Sequence, residues 1–92
     1  MALLSDEEIE ERVGFLDGWT RDGEAITKDF KRDEFTGSVG FVNEVMPVAE
    51  ELNHHPDLAI SWDTVTVTIS THSEGGLTAS DFELAERIDA LS

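Results

Sequence analysis

Cysteine is absent from the 92 residues, which removes disulfides, zinc-thiolate sites and thiol nucleophiles from the accounts open to this chain. Basic side chains are scarce: 6 of them face 21 acidic ones, for a formal net charge of -15. Arg21, Lys28, Lys31 and Arg32 fall in one early segment and only Arg87 follows, so no basic groove can be assembled to hold a phosphate backbone. Nucleic acid is therefore excluded as a partner. No apolar run approaches the length that crosses a bilayer, and no membrane role is expected. The opening Met-Ala-Leu-Leu turns acidic at Ser5-Asp6-Glu7-Glu8, without the basic start and apolar stretch of a secretory signal, so a cytoplasmic location is the expectation. A serine nucleophile elbow and phosphate-cradling glycine patterns are also missing, since Gly75-Gly76 is followed by Leu77 and Thr78.

What is present is a periodic chain with 39% hydrophobic residues, the mark of a globular fold rather than an acidic tail. The length suits one domain spanning residues 1–92. So short a chain buries a limited share of its surface, and self-association would help it. At this charge, self-repulsion opposes the compact state, and added salt relieves it by shortening the Debye length. With only two lysines, the composition resembles that of proteins from cells with a molar-salt cytoplasm. The thermal midpoint should therefore rise as KCl goes from dilute to molar. A flat response would leave the acidity without this explanation.

The periodicity predicts helix, strand, strand, helix, strand, strand, helix. Ser5 and Glu8 form a capping pattern flanked by Leu4 and Ile9, and Ile9, Val13 and Leu16 give the first helix its apolar stripe, ended by Asp17-Gly18. Two short strands follow, at Trp19-Thr20-Arg21 and from Ala25 to Phe30, joined by a tight turn at Asp22-Gly23-Glu24. From Asp33 the period becomes helical, with Phe35, Val39, Val42, Met46, Ala49 and Leu52 along one face; Pro47 predicts a kink or break. Pro56 stops this helix and places His55 at or just past its end. A strand around Leu58 to Trp62 and one through Thr64 to Thr71 come next. A turn at Glu74-Gly75-Gly76 then leads to a last helix capped by Thr78 and Asp81, with Phe82, Ala85 and Ile88 inward. The fold class expected is α+β: a four-stranded antiparallel sheet covered on one face by three helices.

All three histidines fall between positions 54 and 72. Imidazole titrates near neutrality and is suited to giving one proton and taking another. The plainer account is that His54 and His55 favour a helix C-terminus and His72 is a surface residue at a strand end. A shared metal would require the chain to leave the helix between His54 and His55, because successive helical side chains point about 100° apart. The His-x-x-x-His spacing that puts two imidazoles on one helix face is missing, and no metal is assigned. The carboxylates are too many for spacing to single out a glycosidase-like pair.

The segment Ala49-Glu50-Glu51-Leu52-Asn53-His54-His55-Pro56-Asp57, followed by Trp62, Ser70-Thr71-His72, Gly76-Leu77-Thr78 and Asp81, resembles the pterin-4a-carbinolamine dehydratases. Trp62 stands six positions after Pro56, His72 ten after Trp62 and Asp81 nine after His72, the spacings of that family's signature. The resemblance is strong from residue 41 to 91; before that, only Gly18-Trp19 and the strand up to Phe30 are similar. It implies loss of water from a 4a-hydroxytetrahydropterin to give the quinonoid dihydropterin, with no cofactor, in a homodimer or homotetramer. By the same resemblance His54, His55 and His72 are catalytic, and Asn53, His54, His55, Ser70, Thr71, His72 and Ser73 line the pterin. Glu50, Pro56, Trp62 and Asp81 support the site. Glu50 is expected to orient a histidine, and Asp81 to act as a helix cap. Glu51 departs from the family's usual lysine and brings extra negative charge toward the histidines. The alternative is a non-catalytic binding or assembly module on the same fold.

Overall fold

The computed structural model describes residues 2–92. The first helix, α1, spans Asp6–Gly14, and its start is fixed reciprocally: Ser5 Oγ accepts from the Glu8 N–H, and the Ser5 N–H donates to Glu8 Oε1. That backbone donor holds the Glu8 carboxyl below its ordinary value. Strands β1 (Thr20–Asp22) and β2 (Ala25–Lys31) form a hairpin, α2 covers Phe35–Leu52, β3 (Asp57–Ser61) and β4 (Thr64–Ile69) form a second hairpin, and α3 spans Ala79–Asp89. The order matches the α+β expectation. No helix among the described residues is long and apolar enough to cross a membrane.

The four strands are antiparallel in the order β1-β2-β4-β3, so α2 carries the chain across β4 to the far edge. Alternation sets the faces. Ile26 and Phe30 of β2 and Val65, Val67 and Ile69 of β4 point to the helices and are buried, each worth about 1.5–3 kcal/mol on removal from water. The other face is a polar array in which Thr27 and Thr68 hydroxyls meet at 3.3 Å and Thr66 Oγ1 donates to Asp29 Oδ1. Lys28 lies on the helix side and ties the last turn of α3 to the sheet, donating to Asp89 Oδ1 and the Asp17 carbonyl, while the Trp19 indole N–H also donates to Asp89.

Three expectations are corrected. Helix α2 runs unbroken through Pro47, because Asn43, whose carbonyl Pro47 cannot serve, and Pro47 itself both lie on the exposed side. The face that α2 buries is Ser38, Phe41, Val45, Val48 and Ala49; of the anticipated stripe only Ala49 is buried, while Phe35, Val39 and Met46 are exposed. The helix therefore carries two apolar faces, one on the sheet and one exposed, of which Met46 lies beside Leu58 of β3; Ile60 of that strand is also exposed. Third, Trp62 is not in a strand but opens the two-residue turn between β3 and β4 at φ 52, the position where the first hairpin has Gly23 at φ 61.

A positive φ strains a bulky residue, so this turn has to be held. The buried Ser38 hydroxyl donates to the Trp62 carbonyl at 2.8 Å. Asp63 is anchored by Lys31 at 2.9 Å and by Thr64, and the Lys31 ammonium holds its carboxyl below the ordinary range.

Candidate active site

The histidine pair is created by the way α2 ends. Asn53 adopts the left-handed conformation (φ 50, ψ 43), the common form of a helix stop, and its N–H and that of His54 return to the carbonyls of Glu50 and Ala49. The chain then leaves the helix and Pro56 keeps it extended into β3. The two imidazoles consequently face different surroundings. His54 Nε2 lies 2.6 Å from Asp81 Oδ1, with the His54 side chain 15% exposed and Asp81 wholly buried. His55 Nε2 meets Glu50 Oε2 at 2.9 Å, and both of these side chains are mostly exposed. Glu50, expected to orient a histidine, contacts His55 in this exposed setting.

His72 opens the short 3-10 turn His72–Glu74 just beyond β4 and is exposed; among the described residues its ring has no hydrogen-bond partner. The residue before it connects it to His54. Thr71 is buried, and its hydroxyl donates to Asp81 Oδ2 at 2.8 Å. The Thr78 N–H donates to the same oxygen at 2.7 Å, which makes Asp81 the cap of α3 that the sequence predicts. Asp81 is more than a cap, however, and its bond to His54 was missed. The local Thr78-x-x-Asp81 pattern already accounted for the residue, and nothing local announces a partner 27 positions away.

The remaining anticipated residues divide. Asn53 and Ser73 are exposed, and Ser70 Oγ donates to the Glu24 carbonyl. Thr71 is committed inward through its hydroxyl, and its N–H and carbonyl are taken by the turn that pairs it with Gly76. Pro56 joins His55 and Glu50 in lining a 290 Å³ groove between α2 and β3, walled by Val42, Met46 and Leu58, which sequence reasoning had assigned to other roles. Trp62 sits at the opposite end of β3 from Pro56 and is not brought to the histidines. Glu51 turns away and accepts from Arg87 at 2.8 Å. Among the described residues, no three histidine, aspartate or glutamate side chains are grouped as a metal site would require.

Chemically, the arrangement offers imidazoles in three electrostatic settings: one against a buried carboxylate, one against an exposed carboxylate, and one that has no carboxylate partner among the described residues. Such differences allow one ring to take a proton while another gives one.

Residues 2–91 match the model of the family described as Pterin 4 alpha carbinolamine dehydratase. A protein of Roseiflexus castenholzii named "Putative pterin-4-alpha-carbinolamine dehydratase" is 51% identical over 90 residues, covering 98% of this chain and 97% of its own. One of the same name from Sulfolobus acidocaldarius is 43% identical over 88 residues, covering 96% and 97%. Among solved structures, that of a "transcriptional coactivator/pterin dehydratase" from Brucella melitensis is similar with a TM-score of 0.92 at 37% identity, covering 98% of each chain. A pterin dehydratase-like protein identified as a RuBisCO assembly factor in the alpha-carboxysome has a TM-score of 0.69 at 22% identity, covering 80% of this chain and 88% of its own, and shares the fold. With its signature segments joined at Asp81 and its match running nearly end to end, this chain belongs to the pterin 4 alpha carbinolamine dehydratase family.

Proposed function

We propose that the chain is a hydro-lyase that dehydrates a 4a-hydroxytetrahydropterin to the quinonoid dihydropterin by histidine general acid-base catalysis, in support of tetrahydropterin recycling. The bond from C4a to the hydroxyl oxygen breaks with its electron pair on oxygen. An imidazolium supplies the proton that makes it water, and a neutral imidazole takes the proton lost by the adjoining ring nitrogen as the new double bond forms. His54, His55 and His72 supply these rings, and no cofactor enters the balance. Asn53, His54, His55, Ser70, His72 and Ser73 line the pterin, and Thr71 contributes through its hold on Asp81.

The observation that carries this reading is the joining of the two histidine segments, one ending α2 and one following β4, through a single buried carboxylate. A structural role alone does not require both. The alternative, a non-catalytic binding or assembly module, draws on the assembly factor that shares the fold. Retention of all three histidines in this chain favours catalysis.

A homodimer or homotetramer is part of the proposal. Among the described residues the outer edge of β3 has no neighbouring strand, β3 itself exposes Leu58 and Ile60 with Met46 of α2 beside Leu58, and a second copy can pair with that edge around a two-fold axis. The deciding experiment generates the 4a-hydroxytetrahydropterin chemically and follows its decay by stopped-flow absorbance in molar KCl, with the protein's mass taken from sedimentation equilibrium on the same sample. Faster decay in a species of two or four chains is expected. Decay at the uncatalysed rate would overturn the enzyme reading, and a monomer mass the oligomer.

A further inference from the structure

We infer that Asp81 is the positioning residue of His54, fixing which ring nitrogen of that histidine exchanges a proton; this rests on the dehydratase reading above. Asp81 is wholly buried, so each of its oxygens must be satisfied within the protein. Oδ2 accepts from the Thr78 N–H and from the Thr71 hydroxyl. Thr71 has one hydroxyl proton and it goes to Asp81, so in the 2.9 Å contact between Thr71 and Thr78 the Thr78 hydroxyl donates. With both donors converging on Oδ2, the carboxyl group serves as an acceptor there, and Oδ1 faces His54 Nε2 at 2.6 Å. Taking Asp81 as the carboxylate, whose oxygens accept and offer no hydrogen, we place the proton on Nε2.

Three consequences follow for the site. Neutral His54 keeps its lone pair on Nδ1, where no hydrogen bond is formed among the described residues, and this is the atom left to take a proton from substrate. When it does, the positive charge develops against a carboxylate already held by two other donors, which needs no reorganisation. The ring orientation is also set by α3, because the residue that accepts from Nε2 is the one that caps that helix. His55 has no equivalent, since its partner Glu50 is exposed and free to turn. Asp81 therefore acts through His54 and through the Thr71-His72 strand end, without touching substrate itself.

The test is Asp81→Asn. The amide keeps the shape and its oxygen can still accept from Thr78 and Thr71, but its NH2 then faces Nε2 and forces the ring proton onto Nδ1. In a serine-protease triad, the same kind of change leaves geometry intact and lowers kcat about 10⁴-fold through the wrong tautomer. For Asp81→Asn we expect kcat to fall by about 10²–10⁴-fold with KM little changed. The 15N spectrum should show His54 passing from the Nε2–H to the Nδ1–H form while His55 and His72 keep theirs. Should Asp81→Asn fail to fold, the wild-type spectrum still decides, because neutral His54 must be the Nε2–H tautomer. A wild-type Nδ1–H form, a tautomer unmoved by Asp81→Asn, or an unchanged kcat would each overturn the inference. The tautomer is read without substrate, so failure of the positioning is distinguishable from failure of the dehydratase reading.

Discussion

Replacing His72 by alanine should lower kcat for carbinolamine dehydration by about 10²–10⁴-fold, the usual size of general acid-base assistance, while leaving the thermal midpoint nearly unchanged. The separation of the two effects follows from the surroundings of the ring. His72 is exposed at the start of a 3-10 turn and its imidazole bonds to nothing among the described residues, so truncation removes neither a buried contact nor a hydrogen bond. Surface changes of this kind stay within about 0.5 kcal/mol. The fold around it is secured instead by Thr71, whose backbone pairs with Gly76 and whose hydroxyl reaches Asp81. Stopped-flow turnover and a melting curve on one preparation check both halves. Wild-type turnover in His72→Ala would remove this residue from the reaction.

The second large effect concerns stability. Phe30→Ala should cost about 3–5 kcal/mol, because Phe30 is the ring on which the sheet-to-helix contact turns. It is 2% exposed, meets Trp19 edge-on at 6.1 Å and Phe41 of α2 at 4.8 Å, and lies under the Lys28 ammonium at 4.8 Å. Alanine would leave a void that Trp19 and Phe41 cannot both close, since the Trp19 indole is tied to Asp89. For a chain this short each kcal/mol shifts the midpoint by about 4–8 °C, so the loss should exceed about 12 °C. Phe15→Ala is the matched control: Phe15 is 84% exposed and its removal should be nearly silent. Denaturant melts of the two variants give the comparison, and a Phe30→Ala loss no larger than that of Phe15→Ala would contradict the packing described.

The order of elements was legible because each carries its own period: Val65, Val67 and Ile69 alternate with threonines, and the capping pairs at Ser5 and Thr78 mark helix starts. What failed to read out was which side of α2 is inside. Its residues form two apolar stripes, Phe35, Val39, Val42 and Met46 beside Phe41, Val45 and Val48. The choice between them is made by the position of a sheet that no local window contains. Trp62 is a similar case. Its backbone adopts a conformation usually reserved for glycine because Ser38, from a different element, clamps its carbonyl. In the site, His54, His55 and Glu50 were legible as neighbours because they follow one another along the chain. The meeting of His54 with Asp81 was not, since it depends on how α3 lies against the end of α2.

The left-handed Asn53 has a consequence beyond ending a helix. On a continuing helix, two adjacent side chains would stand about 100° apart on the surface of one cylinder. One reversed backbone unit just before them takes both off that cylinder. It sends one ring to a sealed carboxylate and leaves the next at a wet one. A doublet of a single amino acid thereby meets two different electrostatic surroundings, and the difference between them is written in backbone geometry rather than in residue type.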